Sequence, residues 1–297
     1  MPDYGRPITF GIFPVPNAAG LDSVFEAARI ADEGGLDLIG IQDHPYQRRY
    51  VDTWTLMTAV ALRTQRITIF SDVLSLPLRP PAVLAKAAAT LDLLCDGRFE
   101  LGLGAGSFWD AIVAIGGPRR TQGEARRALS EAIDVIRIMW SDERSGRYEG
   151  EYYQLSGVRP GPRPAHKIGI WLGVYGPRSL QLLGEKADGW IPSIPSMPVE
   201  QLDAKQAAID EAAEAAGREP AEIRRLANVN GVITTGASEG FLRGPRDQWV
   251  DELTALAIEQ GMDSFVLWGE GGLVEQTARF TEIAEETRAA VERERQR

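Results

Sequence analysis

The chain has 297 residues, of which 44% are hydrophobic and 25% are charged, the composition of a globular protein with a full core. Its formal net charge of -10 argues against a nucleic-acid partner or an anionic membrane partner. No apolar run approaches the ~20 residues that a membrane helix needs, and the N-terminal MPDYGRP does not resemble a signal peptide. The single cysteine, Cys95, permits no intrachain disulfide, so we expect a cytoplasmic protein.

Short β-rich runs alternate with helix-like segments along the whole chain. The predicted strands are ITFGIF (8–13), LDLIGI (36–41), RITIFSDV (66–73), RFELGLGAG (98–106), IGIWLGV (168–174), DGWIPSI (188–194), RRLANVNGVITT (224–235) and DSFVLW (263–268). The helices predicted between and after them span 21–35, 52–64, 80–97, 123–140, 177–187, 198–217 and 244–260, with a final helix ending near residue 293. Continuous apolar strands that alternate with helices are typical of a parallel sheet covered by helices.

Eight such units in one chain of this length predict an α/β fold, namely a closed (β/α)8 TIM barrel. The alternative is an open doubly wound sheet. We find no internal repeat and no linker, so residues 1–297 are predicted to form one domain. The connections 104–122 and 141–167 are longer than ordinary barrel loops. We expect the second of these, which contains the strand-like YEGEYYQL, to cover part of the barrel mouth.

Polar residues follow the second predicted strand directly. Asp43 and His44 end LDLIGIQDH, and the chain contains only one other histidine. In a TIM barrel the active site lies at the C-terminal ends of the strands, and imidazole titrates near neutral pH. We therefore predict a catalytic role for His44 with Asp43 beside it, against the alternative of a polar loop with a chance histidine.

Two glycine-bearing turns follow the fourth and fifth predicted strands. LGLGAGS (101–107) is GxGxG, which is a weak dinucleotide motif, but its last residues place backbone N–H groups where a phosphate can bind. GVYGPR (173–178) opens a helix at Pro177, and a helix N-terminus attracts phosphate, with Arg178 adding charge. From the residues alone, ordinary turn chemistry is the alternative for both segments.

Several long segments resemble the bacterial luciferase-like flavin oxidoreductases in order along the chain. GLDLIGIQDHP is similar to the strand-two segment of that family, and TWTLMTAVALRTQRITIFSDVLSLPLRPPAVLAKAAATLDLLCDGRFELGLGAG is similar to the next two units. IGIWLGVYGPRSLQLLGEKADGWIPS and GPRDQWVDELTALAIEQGMDSFVLW are similar to unit five and to the last two units. The resemblance implies a luciferase-like barrel with insertions after strands 3, 4 and 7, and a possible homodimer.

The sequences of these segments are most similar to the branch of the family that uses coenzyme F420, a 5-deazaflavin. The resemblance implies an oxidoreductase that transfers a hydride to or from the deazaflavin, and we expect the other partner to be a small, apolar organic substrate. The alternative within the family is an FMN-dependent monooxygenase that uses molecular oxygen. A barrel that stores a flavin without turnover is a third possibility, against which the Asp43-His44 pair argues.

The resemblance also assigns positions in this sequence. It places His44 at the reacting edge of the deazaflavin, and it implies a cis peptide bond between Asp72 and Val73 behind the ring. The chemistry of the residues makes His44 the candidate proton donor, with Asp43 orienting the ring or capping the loop. The residues that it implies in cofactor binding are His44, Asp72, Val73, Ala105, Gly106, Ser107, Val174, Tyr175, Gly176, Pro177 and Arg178.

The chain departs from the family's sugar-phosphate dehydrogenases at one position. Where those enzymes carry a glutamate that acts as an acid, this chain has Ser107, so a sugar-phosphate substrate is in doubt and Asp110 is the candidate replacement acid. Glu270, after the last strand, is a further candidate for substrate contact. Aromatic residues near the predicted mouth suggest an apolar pocket, with core packing as the alternative: Tyr46, Phe108, Trp109, Tyr175, Trp190 and Trp268.

The remaining chemically active side chains are predicted to be structural. His166 precedes strand five and therefore lies at the barrel bottom, and Cys95 follows the apolar face of its helix. No set of His, Cys, Asp and Glu residues has the spacing of a metal site. The sequence does not identify the substrate or the direction of hydride transfer.

Overall fold

The computed structural model describes residues 3–297. Eight parallel strands follow one another around a closed barrel. They are β1 (Thr9–Ile12), β2 (Leu38–Ile41), β3 (Thr68–Ser71), β4 (Phe99–Gly104), β5 (Ile170–Leu172), β6 (Gly189–Trp190), β7 (Arg224–Ile233) and β8 (Ser264–Gly269). Each strand pairs with the next, and β8 pairs with β1, which closes the barrel.

A helix follows every strand, as the alternation in the sequence predicts. The helices are α1 (Leu21–Glu33), α2 (Thr53–Ala61), α3 (Pro81–Leu94), α4 (Gln122–Met139), α5 (Pro177–Lys186), α6 (Leu202–Ala215), α7 (Arg246–Ile258) and α8 (Leu273–Arg295). The prediction of a (β/α)8 barrel is confirmed. Within residues 3–297, no helix has both the length and the apolar character needed to span a bilayer.

Local sequence signals set the helix starts that border the predicted mouth. The Asp52 side chain accepts a hydrogen bond from the backbone N–H of Thr55 and so caps α2. Thr121 and Glu124 form a reciprocal capping box at the start of α4. These caps satisfy backbone donors that a helix cannot pair internally, which fixes where each helix begins beneath the loops of the site.

Two separate clusters of apolar side chains form the core. The larger cluster lies between the barrel and its helices. The smaller one fills the barrel interior with side chains from alternate strand positions, and it consists of Phe13, Leu38, Phe70, Trp171, Ile191, Leu226 and Val266 with Val73 packed against it. Cys95 is buried in the larger cluster, as predicted.

The insertions after strands 3, 4 and 7 lie where the resemblance implies them. After β3 a two-residue strand, Leu74–Ser75, pairs with the end of β4. After β4 the connection contains a short helix, Trp109–Ala114. After β7 the chain makes a two-residue strand, Arg243–Gly244, alongside the end of β7.

The segment 141–167 does not cover the mouth, and the prediction that it does is wrong. It forms a hairpin of Gly146–Glu149 and Gln154–Val158. The backbone N–H groups of residues 151–153 donate to the Glu131 carboxylate, so the hairpin packs along the outside of α4. Its tip reaches the start of α4, where Arg127 donates to Glu151 and Tyr152, so the hairpin runs up the outside of the barrel without entering the space at the strand ends.

Candidate active site

A cavity of about 380 Å³ opens at the C-terminal ends of the strands, and we call it the mouth cavity. Nine of the residues predicted for the site line it, namely Asp43, His44, Val73, Ala105, Gly106, Ser107, Val174, Tyr175 and Gly176. The loops after β2, β3, β4 and β5 therefore converge on one space, as the strand-end rule predicts. None of the residues 141–167 lines it.

The peptide bond between Asp72 and Val73 is cis, as predicted. The Val73 side chain then occupies the space beside the ends of β4 and β5, where side chains of those strands would otherwise lie. A Cβ atom at Gly104 would lie 2.9 Å from the Val73 side chain, and one at Gly173 would lie 3.1 Å from it. The glycines at the ends of these two strands therefore make room for Val73, a role that the motif GxGxG did not reveal because Val73 belongs to the loop after β3.

Gly106 has a positive φ of 99°, a conformation that glycine adopts at little steric cost. A side chain at this position would contact Pro77 and Trp109 at less than 3 Å, so the turn requires glycine. Gly176 differs, because nothing lies within 4 Å of an added Cβ and its φ of -75° suits any residue. The space beside Gly176 is open, which fits a ligand that approaches the backbone closely.

Asp43 is held by an arginine and not by the neighbouring imidazole. The Arg79 guanidinium donates from Nε and Nη2 to the two carboxylate oxygens at 2.9 and 2.8 Å. The backbone N–H of Ser75 also donates to Asp43 at 3.1 Å. Of the two roles predicted for Asp43, the structure shows the loop cap, which joins the loops after β2 and β3.

His44 lies in the wall of the mouth cavity, half-buried. Its Nδ1 atom is 2.7 Å from the Tyr46 hydroxyl, and its ring packs edge-to-face on Phe108 at a centroid distance of 5.4 Å. Burial lowers the pKa of His44, and the Asp43 carboxylate opposes part of that shift. The imidazole is therefore mainly neutral at neutral pH, with one ring nitrogen engaged by Tyr46.

Asp72 is buried and does not line the mouth cavity. Its Oδ1 accepts a hydrogen bond of 3.0 Å from the Asn228 amide, which comes from β7 across the barrel. Its Oδ2 has no hydrogen-bond partner within residues 3–297. Burial raises the pKa of Asp72 to about 7, so the carboxyl is partly protonated at neutral pH.

Three predicted residues lie outside the mouth cavity. Asp110 is on the outer face of the short helix 109–114, with its side chain 97% exposed and paired with Arg119, so the prediction that it replaces the missing acid is wrong. Pro177 and Arg178 are exposed at the first turn of α5, and neither lines the cavity. A helix start presents its side chains around a full turn, so only part of that turn faces the cavity.

Glu270 and two of the aromatic residues predicted at the mouth also lie outside the mouth cavity. Glu270 pairs with Arg243 on the surface. Trp190 is fully buried and donates to the Val174 carbonyl at 2.8 Å, which is the core-packing alternative. Trp268 packs on Phe13 and is not in the cavity wall. The other four aromatics, Tyr46, Phe108, Trp109 and Tyr175, line the cavity as predicted.

Arg126 and Ser179 line the mouth cavity but were not predicted from the sequence. Arg126 is in the first turns of α4, and it makes no hydrogen bond or ion pair with another residue of the described part of the chain. Ser179, one residue after Arg178, faces the cavity from the start of α5. An arginine in an amphipathic helix resembles any solvent-exposed cation, so the sequence carries no signal that separates Arg126 from its neighbours.

His166 lies at the opposite end of the barrel, as predicted. Its Nδ1 is 2.8 Å from a carboxylate oxygen of Asp92, and its Nε2 is 3.5 Å from Glu100. These two hydrogen bonds raise the pKa of His166 to about 10, so this imidazole is charged at neutral pH. The two histidines of the chain are therefore in opposite electrostatic environments.

The fold and the site together define a (β/α)8-barrel protein with its candidate active site at the C-terminal ends of β2 to β5. The chain belongs to the luciferase-like monooxygenase family, whose family model matches residues 7–240. The resemblance read from the sequence is therefore confirmed.

Curated relatives and solved structures agree with this family. The F420-dependent glucose-6-phosphate dehydrogenase of Nakamurella multipartita is 32% identical over 227 residues, which cover 74% of this chain and 66% of that protein. The protein of the same name from Kineococcus radiotolerans is 32% identical over 235 residues, which cover 76% of this chain and 68% of that protein. The aligned part thus spans about two thirds of these relatives.

A solved structure of an F420-dependent secondary alcohol dehydrogenase in complex with an F420-acetone adduct has a TM-score of 0.84. It shares 16% sequence identity, and the alignment covers 95% of this chain and 99% of that chain. At this identity the likeness establishes the fold.

Proposed function

We propose that this protein is a coenzyme F420-dependent oxidoreductase that transfers a hydride between the deazaflavin and a small, apolar organic substrate. The observation that carries the proposal is the mouth cavity, where half-buried His44 faces the same space as the backbone turns at Gly106 and Gly176. The curated relatives that are named F420-dependent support this cofactor over FMN. When bound, a reduced deazaflavin supplies the hydride.

The residues of the mouth cavity suit such a cofactor. The open space beside Gly176 allows a phosphate to approach backbone N–H groups at the start of α5. Arg126 is the one lysine or arginine among the residues that line the cavity, and its guanidinium is available for a charged group. Val73 presents an apolar side chain where a flat ring needs a backing surface. Together they supply donors, a cation and an apolar wall.

The proposed substrate is apolar because the cavity has few polar groups left once a cofactor phosphate is bound. Tyr46, Phe108, Trp109 and Tyr175 form much of its wall. With Arg126 assigned to the cofactor, no second lysine or arginine of the cavity lining is left for a substrate phosphate. Ser107 also stands where the sugar-phosphate enzymes carry an acid, so we do not extend the relatives' substrate to this chain.

In the proposed reaction, the protein's own residues bind, orient and move a proton. His44 exchanges the proton that accompanies hydride transfer, since it is the imidazole in the cavity wall and its Nε2 makes no hydrogen bond within the described residues. Asp43 and Arg79 fix the loop that carries it. The homodimer, the single domain and the cytoplasmic location remain predictions.

Equilibrium titration with oxidised F420 and with FMN tests the proposal, with Arg126→Ala and Arg178→Ala as a matched pair. We expect the unaltered protein to bind F420 at least tenfold more tightly than FMN. Arg126→Ala should weaken F420 binding about tenfold, equivalent to about 1.4 kcal/mol, because a charge-assisted contact is lost. Arg178→Ala should change the affinity by less than about twofold, since Arg178 is outside the cavity.

The titration has two informative failures. Tighter binding of FMN would reject the proposed cofactor in favour of the monooxygenase alternative. Equal effects of the two arginine substitutions would reject the placement of the phosphate near Arg126 while leaving the cofactor itself in place.

A further inference from the structure

The contact between Tyr46 and His44 has a chemical consequence beyond the position of the imidazole. Nδ1 of His44 is 2.7 Å from the Tyr46 hydroxyl, which is the one hydrogen bond that the hydroxyl makes within residues 3–297. A tyrosine hydroxyl is both a donor and an acceptor, whereas neutral imidazole has one N–H and one bare nitrogen. Which of the two donates therefore decides where the His44 proton resides.

Donor strength and distance separate the two arrangements. Either one leaves a single donor without a partner among the described residues, the Tyr46 O–H if Nδ1 donates and the Nε2–H if Tyr46 donates. A phenol O–H is a stronger donor than an imidazole N–H, and a bare imidazole nitrogen is a stronger acceptor than a phenol oxygen. The 2.7 Å separation is also shorter than the distance of about 2.9–3.0 Å that is typical of an N–H donor. The favourable arrangement is therefore the one in which Tyr46 donates to a bare Nδ1 and the imidazole proton is on Nε2.

The surroundings keep Tyr46 in its protonated form and hold both rings in place. Burial first, and the Asp43 carboxylate second, raise the pKa of Tyr46 to about 12. Phe108 packs against both partners, with centroid distances of 5.4 Å to His44 and 5.9 Å to Tyr46. Asp43 does not compete for Nδ1, because Arg79 and the Ser75 N–H occupy its oxygens.

We propose that Tyr46 is a positioning residue that holds neutral His44 with its proton on Nε2 and replaces that proton when it is transferred. This inference rests on the proposed function, in which His44 faces the substrate. As a carbonyl carbon accepts the hydride, its oxygen accepts the Nε2 proton. The Tyr46 hydroxyl proton then moves to Nδ1, and water reprotonates the phenolate at this partly exposed residue.

In this tautomer Nε2 already carries a proton and cannot accept one from an alcohol, so the arrangement suits reduction of a carbonyl. For each proton that leaves Nε2, one proton arrives at Nδ1, so the His44 imidazole stays neutral throughout. A site whose imidazole has a lowered pKa thereby avoids forming a buried cation.

Nitrogen NMR of the protein without cofactor tests the tautomer directly. The chain has only two histidines, so the imidazole region is simple, and His44→Gln identifies the His44 signals by removing them. We expect neutral His44 to show a protonated Nε2 and a bare Nδ1. His166, held by two carboxylates, is the internal reference and should show two protonated nitrogens at neutral pH.

Tyr46→Phe removes the hydroxyl and keeps the ring that packs on Phe108. We expect its His44 spectrum to change to a mixture of the two tautomers, with unchanged His166 signals reporting an intact fold. With F420 and an acceptor, kcat should fall at least about tenfold while KM changes little. Tyr152→Phe, at a tyrosine on the hairpin tip outside the mouth cavity, is the matched control and should leave both readouts unchanged.

The outcomes distinguish this inference from the proposed function. A wild-type His44 with its proton on Nδ1, or a spectrum indifferent to Tyr46→Phe, would overturn the inference even if F420 binds and turns over. The expected spectra in a protein that binds no F420 would reject the proposed function and leave the Tyr46–His44 pair as a property of the fold.

Discussion

Replacing His44 with alanine should lower kcat with F420 and an acceptor by 10²–10⁴-fold, the usual contribution of general acid–base catalysis. The reason is that His44 presents a titratable nitrogen to the mouth cavity, while Asp110 and Glu270 are both on the surface and cannot replace it. Affinity for F420 should change by less than about tenfold, because the proposed phosphate contacts are in the loops after β4 and β5. Steady-state kinetics and equilibrium titration measure the two quantities separately.

His44→Gln refines this prediction, and Gln47→Ala is its control. Glutamine keeps hydrogen-bonding capacity but cannot exchange a proton at neutral pH, so this variant should be nearly as slow as the alanine variant. Gln47 is exposed in the same loop and should be silent. Wild-type kcat in His44→Ala would make His44 a structural loop residue, and loss of F420 binding would make it a ring-binding residue.

Replacing Arg79 with alanine should destabilise the fold by about 3 kcal/mol, the lower end of what it costs to break a buried ion pair. The Asp43 side chain is 1% exposed and the Arg79 side chain 20%. Without Arg79, the carboxylate keeps only the Ser75 N–H and is left buried with an uncompensated charge. Urea denaturation gives the change in the free energy of unfolding.

An exposed ion pair provides the matched control for Arg79. Arg163 and Asp142 are paired with both side chains 72% exposed, so Arg163→Ala should change the free energy of unfolding by less than about 1 kcal/mol. Adding Asp43→Asn to Arg79→Ala should restore part of the loss by removing the unpaired charge. Equal effects of the two arginine substitutions would contradict a structural role for the buried pair.

The sequence predicted the fold well because its signals are local. Each strand is a short apolar run, and each helix is amphipathic with a recognisable start. The order of elements can therefore be predicted without knowledge of tertiary contacts. The strand-end rule then placed His44, Val73, Gly106 and Gly176 around one cavity. The segment 141–167 was misplaced, because the contacts that hold its hairpin along the outside of α4 join residues about 20 positions apart in the chain.

The parts of the site that the sequence did not predict depend on contacts between distant segments. Gly104 accommodates Val73 from the loop after β3, and Arg79 pairs with the Asp43 carboxylate that the sequence placed beside the imidazole. Arg126 reaches the cavity because of how α4 is oriented, which its amphipathic pattern does not encode. Tyr46 was recognised as a mouth aromatic, but its hydrogen bond to His44 depends on the loop conformation.

Anaerobic turnover is the most direct test of the central claim, that this barrel transfers a hydride between F420 and a small apolar substrate. Purified protein is mixed with reduced F420 and a panel of apolar ketones and aldehydes without oxygen, and the return of oxidised deazaflavin absorbance is followed. Glucose 6-phosphate with oxidised F420 tests the activity named for the curated relatives. We predict oxidation of reduced F420 by at least one apolar acceptor and no reaction with the sugar phosphate. Turnover that instead requires reduced FMN and molecular oxygen would contradict the claim.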